Sequence, residues 1–185
     1  MKKIALCEFD PTKYGQLMSV DVVDIESFRD YLWENPVYGT NYYSIYLITH
    51  STEMLEVDGK SVPARPGMIV CSRPGELWRW EEQSRQEGEY LYWTDDFLNS
   101  FFRDPHFIDS FTFFQAGRSS SFLYPDARLF RRLLALFSQM REEIASKKLN
   151  EAQHILRAMV YETLMLLERA NTVSYTHLRA HETVL

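Results

Sequence analysis

The chain is 185 residues long, with 45% hydrophobic, 15% aromatic and 25% charged residues and a formal net charge of −6 at pH 7. This composition excludes intrinsic disorder, and the length suffices for one domain with a sizeable core. The negative charge excludes a whole-chain electrostatic surface for nucleic-acid backbones.

The number of cysteines and the first residues of the chain indicate in which cellular compartment the protein is found. Cys7 and Cys71 are too few for a disulfide scaffold. The first apolar run ends at Glu8 and Asp10, too early for the core of a secretory signal. No segment approaches the ~20 apolar residues that span a membrane. We therefore expect a cytoplasmic protein without a membrane partner.

Residues 1–40 are predicted to form an irregular, aromatic N-terminal arm. Within it, residues 27–33 favour a short helix. That helix ends before Asn35 and Pro36, because a residue that precedes proline avoids the helical region. The arm is the natural candidate for a mobile lid.

Short strands are predicted between residues 42 and 93. Residues 42–49 are β-branched and aromatic on both faces, which is typical of a central strand. Asp58 and Gly59 separate two alternating segments and indicate a hairpin, since both turn positions need positive φ. Pro-Gly pairs predict turns between the remaining strands of the region. The further strands are predicted at 68–71, 77–80 and 89–93, and this spacing favours an antiparallel sandwich or barrel.

Helical patterns follow the strands. Thr94 or Asp95 can cap a helix that runs through Phe102. Asp126 and Asn150 can cap two long amphipathic helices, which a short connection makes an antiparallel pair. Their apolar face is wide, so we expect part of it to be core and part to be a self-association surface. The candidates for self-association are Leu133, Phe137, Met140, Leu156, Met159 and Leu164.

The sequence pattern changes near residue 172. Residues 173–185 have no sustained apolar period, cap or turn signal. They read as the translation of a transposon-end adapter used in DNA sequencing. We therefore expect residues 173–185 to be a non-native tail, and a following domain to have been lost.

The order of these elements resembles the N-terminal domain of AraC-type bacterial transcription regulators, over residues 14–172. The resemblance rests on the first long strand and the Asp58-Gly59 hairpin, on the Arg-Pro-Gly segments, on Phe113-Phe114 and on the two helices. The Arg-Pro-Gly segments begin at Arg65 and at Arg73, and the second runs on to Trp80.

The resemblance implies a mainly β plus α fold, in which a cupin-like jelly-roll barrel is followed by a C-terminal antiparallel helix pair. The barrel, with a packed helical and aromatic segment, would occupy residues 41–120 and bind a small-molecule effector, for which a sugar is one candidate. Residues 121–172 would be dimerisation and linker helices of a homodimer. DNA would be bound only by a C-terminal domain that this chain lacks.

Aromatic residues on the predicted strands are candidates for the effector pocket, because indole and phenol rings stack on sugars and on aromatic ligands. Trp78 and Trp80 share one face of their strand. In the alternative interpretation, each of these rings belongs to the core of the barrel and Glu76 is an exposed charge at its rim. The candidate ligand-binding residues are Tyr43, Tyr46, Glu76, Trp78, Trp80 and Trp93.

Two other functions stay open. A metal-dependent cupin enzyme, such as a sugar isomerase or dioxygenase, needs a His-x-His pair with further ligands. Relatives often carry His where this chain has Trp78, and an indole offers no lone pair, so we predict no metal, no cofactor and no catalytic residue. A free-standing carbohydrate-binding module would use the helix pair as a cap, without a dimer interface.

Overall fold

The computed structural model describes residues 4–15, 17–51, 53–81, 85–118, 121–146 and 149–182. The strands are β1 (Ala5–Cys7), β2 (Val20–Asp24), β3 (Val37–Thr40), β4 (Tyr43–His50), β5 (Met54–Val57), β6 (Lys60–Pro63), β7 (Ile69–Ser72), β8 (Leu77–Trp80), β9 (Glu87–Trp93) and β10 (Phe122–Leu123). The α-helices are α1 (Arg29–Glu34), α2 (Asp95–Phe102), α3 (Ala127–Ala145) and α4 (Leu149–Glu182). Short 3-10 turns lie at Ile25–Phe28, Ile108–Ser110 and Thr112–Phe114.

The strands form two five-stranded sheets that face each other. The outer sheet has the order β1-β3-β8-β5-β6, and the inner sheet has the order β10-β7-β4-β9-β2. All pairings are antiparallel among the described residues except that of β1 with β3. The mainly β plus α, jelly-roll type of fold that the sequence predicts is therefore confirmed.

Strand alternation divides the interior into two cores. On β4, Tyr46 and Ile48 point between the two sheets, whereas Tyr43, Ile45 and Leu47 point toward the helices. Successive side chains of a strand lie on opposite faces, so the inner sheet is buried on both sides. The result is three layers: outer sheet, inner sheet and helices.

The Asp58-Gly59 turn is confirmed as the hairpin between β5 and β6. Asp58 has φ 50° and Gly59 has φ 79°. These values suit a two-residue turn whose twist matches that of the paired strands. The hairpin is in register from Val57 opposite Lys60 to Met54 opposite Pro63.

The prediction of an irregular arm over residues 1–40 is wrong for most of that range. β2 pairs with β9 along its whole length and buries Val20 and Val22 against the helices. β3 pairs with β8 in the outer sheet. The cause is tertiary, because the short β2 shows no clean alternation and becomes a strand by pairing with a partner about 70 residues away. The predicted short helix is present as α1.

The predicted helix pair is confirmed, but the predicted self-association residues are not on its surface. The Asp126 side chain caps α3 by accepting a hydrogen bond from the Leu129 backbone amide at 2.8 Å. The helices pack on the inner sheet, so the wide apolar face is used within the chain. Leu133, Phe137, Met140, Leu156 and Leu164 are buried there, and Met159 is half-buried against the same core.

The backbone of α4 continues past the point at which the sequence pattern changes. The helix runs to Glu182, so the change near residue 172 does not end it. Residues 183–185 and the Asn150 side chain lie outside the described parts of the chain. The adapter origin of residues 173–185 stays a prediction. Among the described helices, none combines the length and the apolar character needed to cross a membrane.

Candidate functional site

Aromatic side chains from both sheets fill the space between them and form one network of ring contacts, here called the barrel cluster. Trp78 lies at its centre and stacks with both Tyr38 and Trp80, each at a centroid distance of 6.3 Å. The inward position of both tryptophans follows from strand alternation on β8. The members are Phe9, Phe28, Tyr31, Tyr38, Tyr42, Tyr46, Trp78, Trp80, Tyr90 and Tyr92.

Several polar atoms inside the barrel cluster have no hydrogen-bond partner among the described residues. The Tyr90 hydroxyl faces those of Ser44 and Tyr42, but its geometry falls short of a standard hydrogen bond. The indole Nε1 of Trp80 lies beside the Tyr38 hydroxyl, also without a bond. Buried polar groups are satisfied in the large majority of cases, so these atoms are available to hydrogen-bond a ligand or ordered water that reaches them.

The phenols of the barrel cluster are neutral at physiological pH. Burial raises the pKa values of Tyr38, Tyr42, Tyr46 and Tyr90 above the ordinary value of 10.0. Desolvation disfavours the charged phenolate, so each hydroxyl keeps its proton. Burial also raises the pKa of Tyr31 to about 12. The site therefore presents uncharged donors and acceptors.

A buried carboxylate at the edge of the barrel cluster holds the segment that precedes β2. Asp21 accepts hydrogen bonds at 2.8 Å from the Tyr92 hydroxyl, from Lys13 Nζ and from the Tyr14 hydroxyl. It also accepts one from the Val22 backbone amide at 2.8 Å. Tyr92 belongs to the barrel cluster, so one carboxylate connects the cluster to residues 8–15, here called the N-terminal segment.

The N-terminal segment also places an aromatic ring on the barrel cluster. The Phe9 ring lies 5.3 Å from Tyr92 and 6.3 Å from Tyr42, both edge to face. The Phe9 backbone amide donates to Asn41 Oδ1 at 2.9 Å. What remains of the predicted arm is therefore a short covering segment that is attached at two points.

Glu76 lies outside the barrel cluster, in a cleft of about 400 Å³ at the rim. Its carboxylate faces Arg118, whose Nη1 lies 2.6 Å from Oε1 and whose Nη2 lies 2.7 Å from Oε2. The Arg118 Nη2 also donates to Ser121 Oγ at 2.8 Å. Glu76 therefore lies at the rim in an ion pair with Arg118, and its predicted contact with a ligand stays a prediction.

The structure separates the predicted ligand residues into three places. Tyr46, Trp78 and Trp80 belong to the barrel cluster. Tyr43 and Trp93 lie on the opposite face of the inner sheet, stacked on each other at 5.9 Å and packed against the helix-side core. The prediction that these two rings line the interior is wrong, because they occupy odd positions on strands whose even positions point inward.

Sequence reasoning missed most of the barrel cluster, although a usable signal was present. Tyr90 and Tyr92 alternate with Leu91 and Trp93 on β9, so assignment of one face decides the other. Tyr38 and Phe9 could not have been found in this way, since both lie in the range predicted to be irregular.

A second candidate site is the outward surface of α4. Exposed residues recur there every three or four positions, so they share one face. Three of them are large and apolar: Ile155 is 46% exposed, and Tyr161 and Met165 are each 38% exposed. This face, here called the α4 stripe, consists of Glu151, Ile155, Ala158, Tyr161, Met165 and Arg169.

Aromatic rings at the end of α2 extend the α4 stripe. Phe101 is 49% exposed, and Phe102 lies 5.5 Å from Tyr161. Phe101 in turn lies 6.0 Å from the ring of His154. A contiguous exposed apolar patch of this kind is a candidate interaction surface.

The described side chains include no group of three or more His, Cys, Asp or Glu that could hold a metal ion. At the position where the resemblance places a histidine in relatives, the Trp78 indole donates to Ser72 Oγ at 2.9 Å. An indole N–H is a donor only, so it is not a metal ligand.

No curated protein matches the sequence significantly. The AraC-like transcriptional activator CuxR is similar in structure with a TM-score of 0.42 and 15% identity, covering 90% of this chain and 59% of CuxR. A vicilin from tomato, Solanum lycopersicum, matches with a TM-score of 0.29 and 11% identity, covering 75% of this chain and 46% of the vicilin. This chain thus spans less than two thirds of either protein.

The comparison with protein families is the decisive one, because it covers most of the chain. The model of the AraC-like ligand binding domain matches residues 29–163, from α1 through the barrel into α4. The chain therefore belongs to the AraC-like ligand-binding domain family.

Proposed function

We propose that this chain is the small-molecule-sensing and dimerising part of a transcription regulator whose DNA contacts are made by another domain. The observation that carries the sensing function is the aromatic enclosure between the sheets, in which Ser44 Oγ, Tyr90 Oη and Trp80 Nε1 make no hydrogen bond of standard geometry. Apolar walls with a few convergent polar groups are the usual make-up of a ligand pocket. The proposal includes a cytoplasmic location, since a regulator of transcription works where the DNA is, and it assigns no catalysis.

The N-terminal segment supplies a route from the barrel cluster to the rest of the molecule. Tyr92 contacts both the barrel cluster and Asp21, and Asp21 holds Lys13 and Tyr14. A ligand that moves Tyr92 changes the attachment of the N-terminal segment. Effector binding then acts as a shift between an attached and a released state of that segment.

The sensing function is tested by a ligand screen with two matched variants. Tyr90→Phe removes a hydroxyl inside the barrel cluster, and Tyr43→Phe removes one on the other face of the same sheet. We expect compounds that bind the native chain and Tyr43→Phe, but not Tyr90→Phe, by saturation-transfer NMR. Such compounds should also change the rate of trypsin cleavage after Lys13. A screen without any compound of this kind contradicts the sensing function.

Dimerisation is supported by the self-complementary order of residues along the α4 stripe. If two copies of α4 pack antiparallel about a two-fold axis at the level of Val160, Glu151 lies opposite Arg169 of the second copy. Ile155 then lies opposite Met165 of the second copy, and the small Ala158 lies near the axis. Opposite charges and apolar residues are therefore matched at both ends, as an isologous interface requires.

The parallel arrangement lacks this complementarity. It would place Glu151 against its own copy and Arg169 against its own copy, and like charges in contact are unfavourable. The charges at the two ends of the stripe thus favour the antiparallel homodimer. This surface replaces the buried residues that the sequence suggested for self-association.

Charge reversal tests the antiparallel pairing. Glu151→Arg and Arg169→Glu should each raise the dimer dissociation constant about tenfold, because each substitution creates two like-charge contacts by symmetry. The double variant should return to within about twofold of the native value. Glu142→Arg makes the same change of charge on the exposed face of α3 and serves as the control.

Sedimentation equilibrium gives these constants directly. A double variant that dimerises no better than the single variants contradicts the pairing. A native chain that is monomeric at all concentrations contradicts dimerisation itself and favours the free-standing carbohydrate-binding module.

A further inference from the structure

We propose that a cleft at the start of α3 is a further binding site, which takes a small organic anion: a carboxylate or phosphate group carried on a flat apolar body. This cleft, here called the α3 cleft, has a volume of about 520 Å³. Its described lining comes from the end of β4, the turn before β7, the connection after β10 and the start of α3. None of these residues belongs to the barrel cluster, so the proposal does not depend on the proposed sensing function.

Both charged residues of the described lining are cations. Arg65 and Arg131 line the α3 cleft, and no acidic residue does so in the described part of the chain. Neither guanidinium forms an ion pair with a described residue. The carboxylate of Asp126, the cap of α3, already accepts a hydrogen bond from the Leu129 amide at 2.8 Å. The α3 cleft is therefore locally positive in a chain whose formal charge is −6.

The free guanidiniums determine which head group the ligand needs. Arg132, one residue further along α3, lies 2.6 Å from the carboxylate of Glu162 and is thereby neutralised, whereas Arg131 is not. A guanidinium presents its N–H donors in one plane, in a geometry that matches two oxygens of a carboxylate or phosphate. Arg65 and Arg131 are therefore available to bind the oxygens of an anion that enters the α3 cleft.

The remaining lining is largely apolar and includes an exposed aromatic ring. The Arg65 guanidinium lies over the Tyr124 ring, 4.5 Å from its centroid, and this cation–π contact holds the cation in place. Tyr124 is nevertheless 49% exposed, so part of its ring is free to contact a ligand. Pro125 and Phe130 add apolar walls. Small-molecule sites of about 300–1,000 Å³ commonly combine such walls with a few charged groups, so the lining favours an anion with an apolar body.

A ligand held by both guanidiniums would connect two layers of the fold. Arg65 lies in the turn between β6 and β7, and Arg131 lies on α3, which covers the inner sheet. Because the site is formed only when these two layers are in contact, the ligand binds the folded chain and not the unfolded one. Binding should therefore raise the melting temperature as the ligand concentration rises above the dissociation constant.

The proposal is tested on the full chain with four probes that share one ring: benzoate, phenyl phosphate, benzamide and benzylamine. The first two carry the anionic head groups, benzamide is neutral, and benzylamine is a cation at neutral pH. An NMR titration that follows the arginine side-chain Nε–H signals measures each dissociation constant.

Three variants separate the site from general charge effects. Arg65→Gln and Arg131→Gln each remove one guanidinium of the α3 cleft, at exposed positions where the fold does not depend on the side chain. Arg132→Gln is the matched control, since it removes the same charge one residue along α3, outside the lining. Thermal unfolding without probe checks that all three variants are folded.

We expect benzoate and phenyl phosphate to bind at least about tenfold more tightly than benzamide and benzylamine. Arg65→Gln and Arg131→Gln should each weaken the anions at least about fivefold, and Arg132→Gln less than about twofold. Tyr90→Phe should leave this binding unchanged, because Tyr90 lies in the barrel cluster. Either order of the two anions supports the site and identifies its preferred head group.

Three results would overturn the proposal. The first is binding of benzamide or benzylamine as tight as that of the anions. The second is a loss of anion binding in Arg132→Gln that equals the loss in Arg65→Gln and Arg131→Gln. The third is that no probe binds. None of these results bears on the sensing function, whose own test depends on Tyr90→Phe.

Discussion

The Tyr92 hydroxyl donates to the Asp21 carboxylate at 2.8 Å, across two paired strands of the inner sheet. Asp21 is 2% exposed, so water cannot replace that bond. The same carboxylate holds the N-terminal segment through Lys13 and Tyr14. A single buried group therefore links the aromatic interior to the segment that covers it.

Removing this carboxylate should release the N-terminal segment. Asp21→Ala is expected to lower the free energy of unfolding by about 2–4 kcal/mol, because it leaves the buried Tyr92 hydroxyl unpaired. Half-exposed Lys13 adds little to this, since water screens its charge. Urea unfolding measures the loss, and trypsin cleavage after Lys13 should accelerate in the native state.

The control for Asp21→Ala lies on the same strand. Asp24 caps the following 3-10 turn by accepting from the Glu26 backbone amide at 2.9 Å, at an exposed position. Asp24→Ala should cost only about 1 kcal/mol. Equal losses in the two variants, or an unchanged cleavage rate in Asp21→Ala, would show that Asp21 does not hold the segment.

Alkaline pH should unfold the protein through its buried phenols. In the folded state, burial raises the pKa values of Tyr38, Tyr42 and Tyr90 above 10.0, so the folded chain holds protons that the unfolded chain releases. Their contribution to stability is complete below about pH 10 and falls as the pH rises further. Absorbance at 295 nm should therefore rise cooperatively, together with the loss of circular dichroism. A smooth titration of all 11 tyrosines in a folded chain would contradict this expectation.

Gly88 allows two strands of the inner sheet to approach each other. A Cβ at this position would lie 2.1 Å from the Leu47 carbonyl oxygen, and φ is 151°. Gly88→Ala should lower the free energy of unfolding by about 3 kcal/mol or more. Gly117→Ala, at φ 72° with open space around the Cβ, should cost about 1 kcal/mol. Both variants are measured by thermal unfolding. Gly117→Ala reports the cost of a positive φ alone, and the larger loss in Gly88→Ala reports the added clash with Leu47.

A second pair of variants should distinguish the buried face of the helix pair from its exposed face. Phe137→Ala leaves a cavity in the buried core and should cost about 3–5 kcal/mol. Ile155→Ala on the α4 stripe should change the stability of the isolated chain by less than about 0.5 kcal/mol. The dimer dissociation constant should instead rise more in Ile155→Ala than in Phe137→Ala. A larger loss of stability for Ile155→Ala would invert the assignment of the two faces.

Local patterns in the sequence were sufficient for the type and order of most elements. The Asp58-Gly59 turn, the strand after it and the Asp126 cap each depend on a few neighbouring residues, whose conformational preferences act without the rest of the fold. The placement of Trp78 and Trp80 on one face followed from alternation alone. The sequence also contained the order of charges on α4, although its meaning depends on which face of the helix is exposed.

Only the tertiary structure decided which apolar surfaces meet. β2 and β3 become strands by pairing with distant partners, and the wide face of the helix pair is buried because the inner sheet needs a cover on that side. Tyr43 and Tyr46 are equally aromatic and three residues apart, yet one joins the helix-side core and the other the barrel cluster. A periodic pattern specifies that two faces exist, whereas the identity of each face depends on long-range contacts that local propensity does not encode.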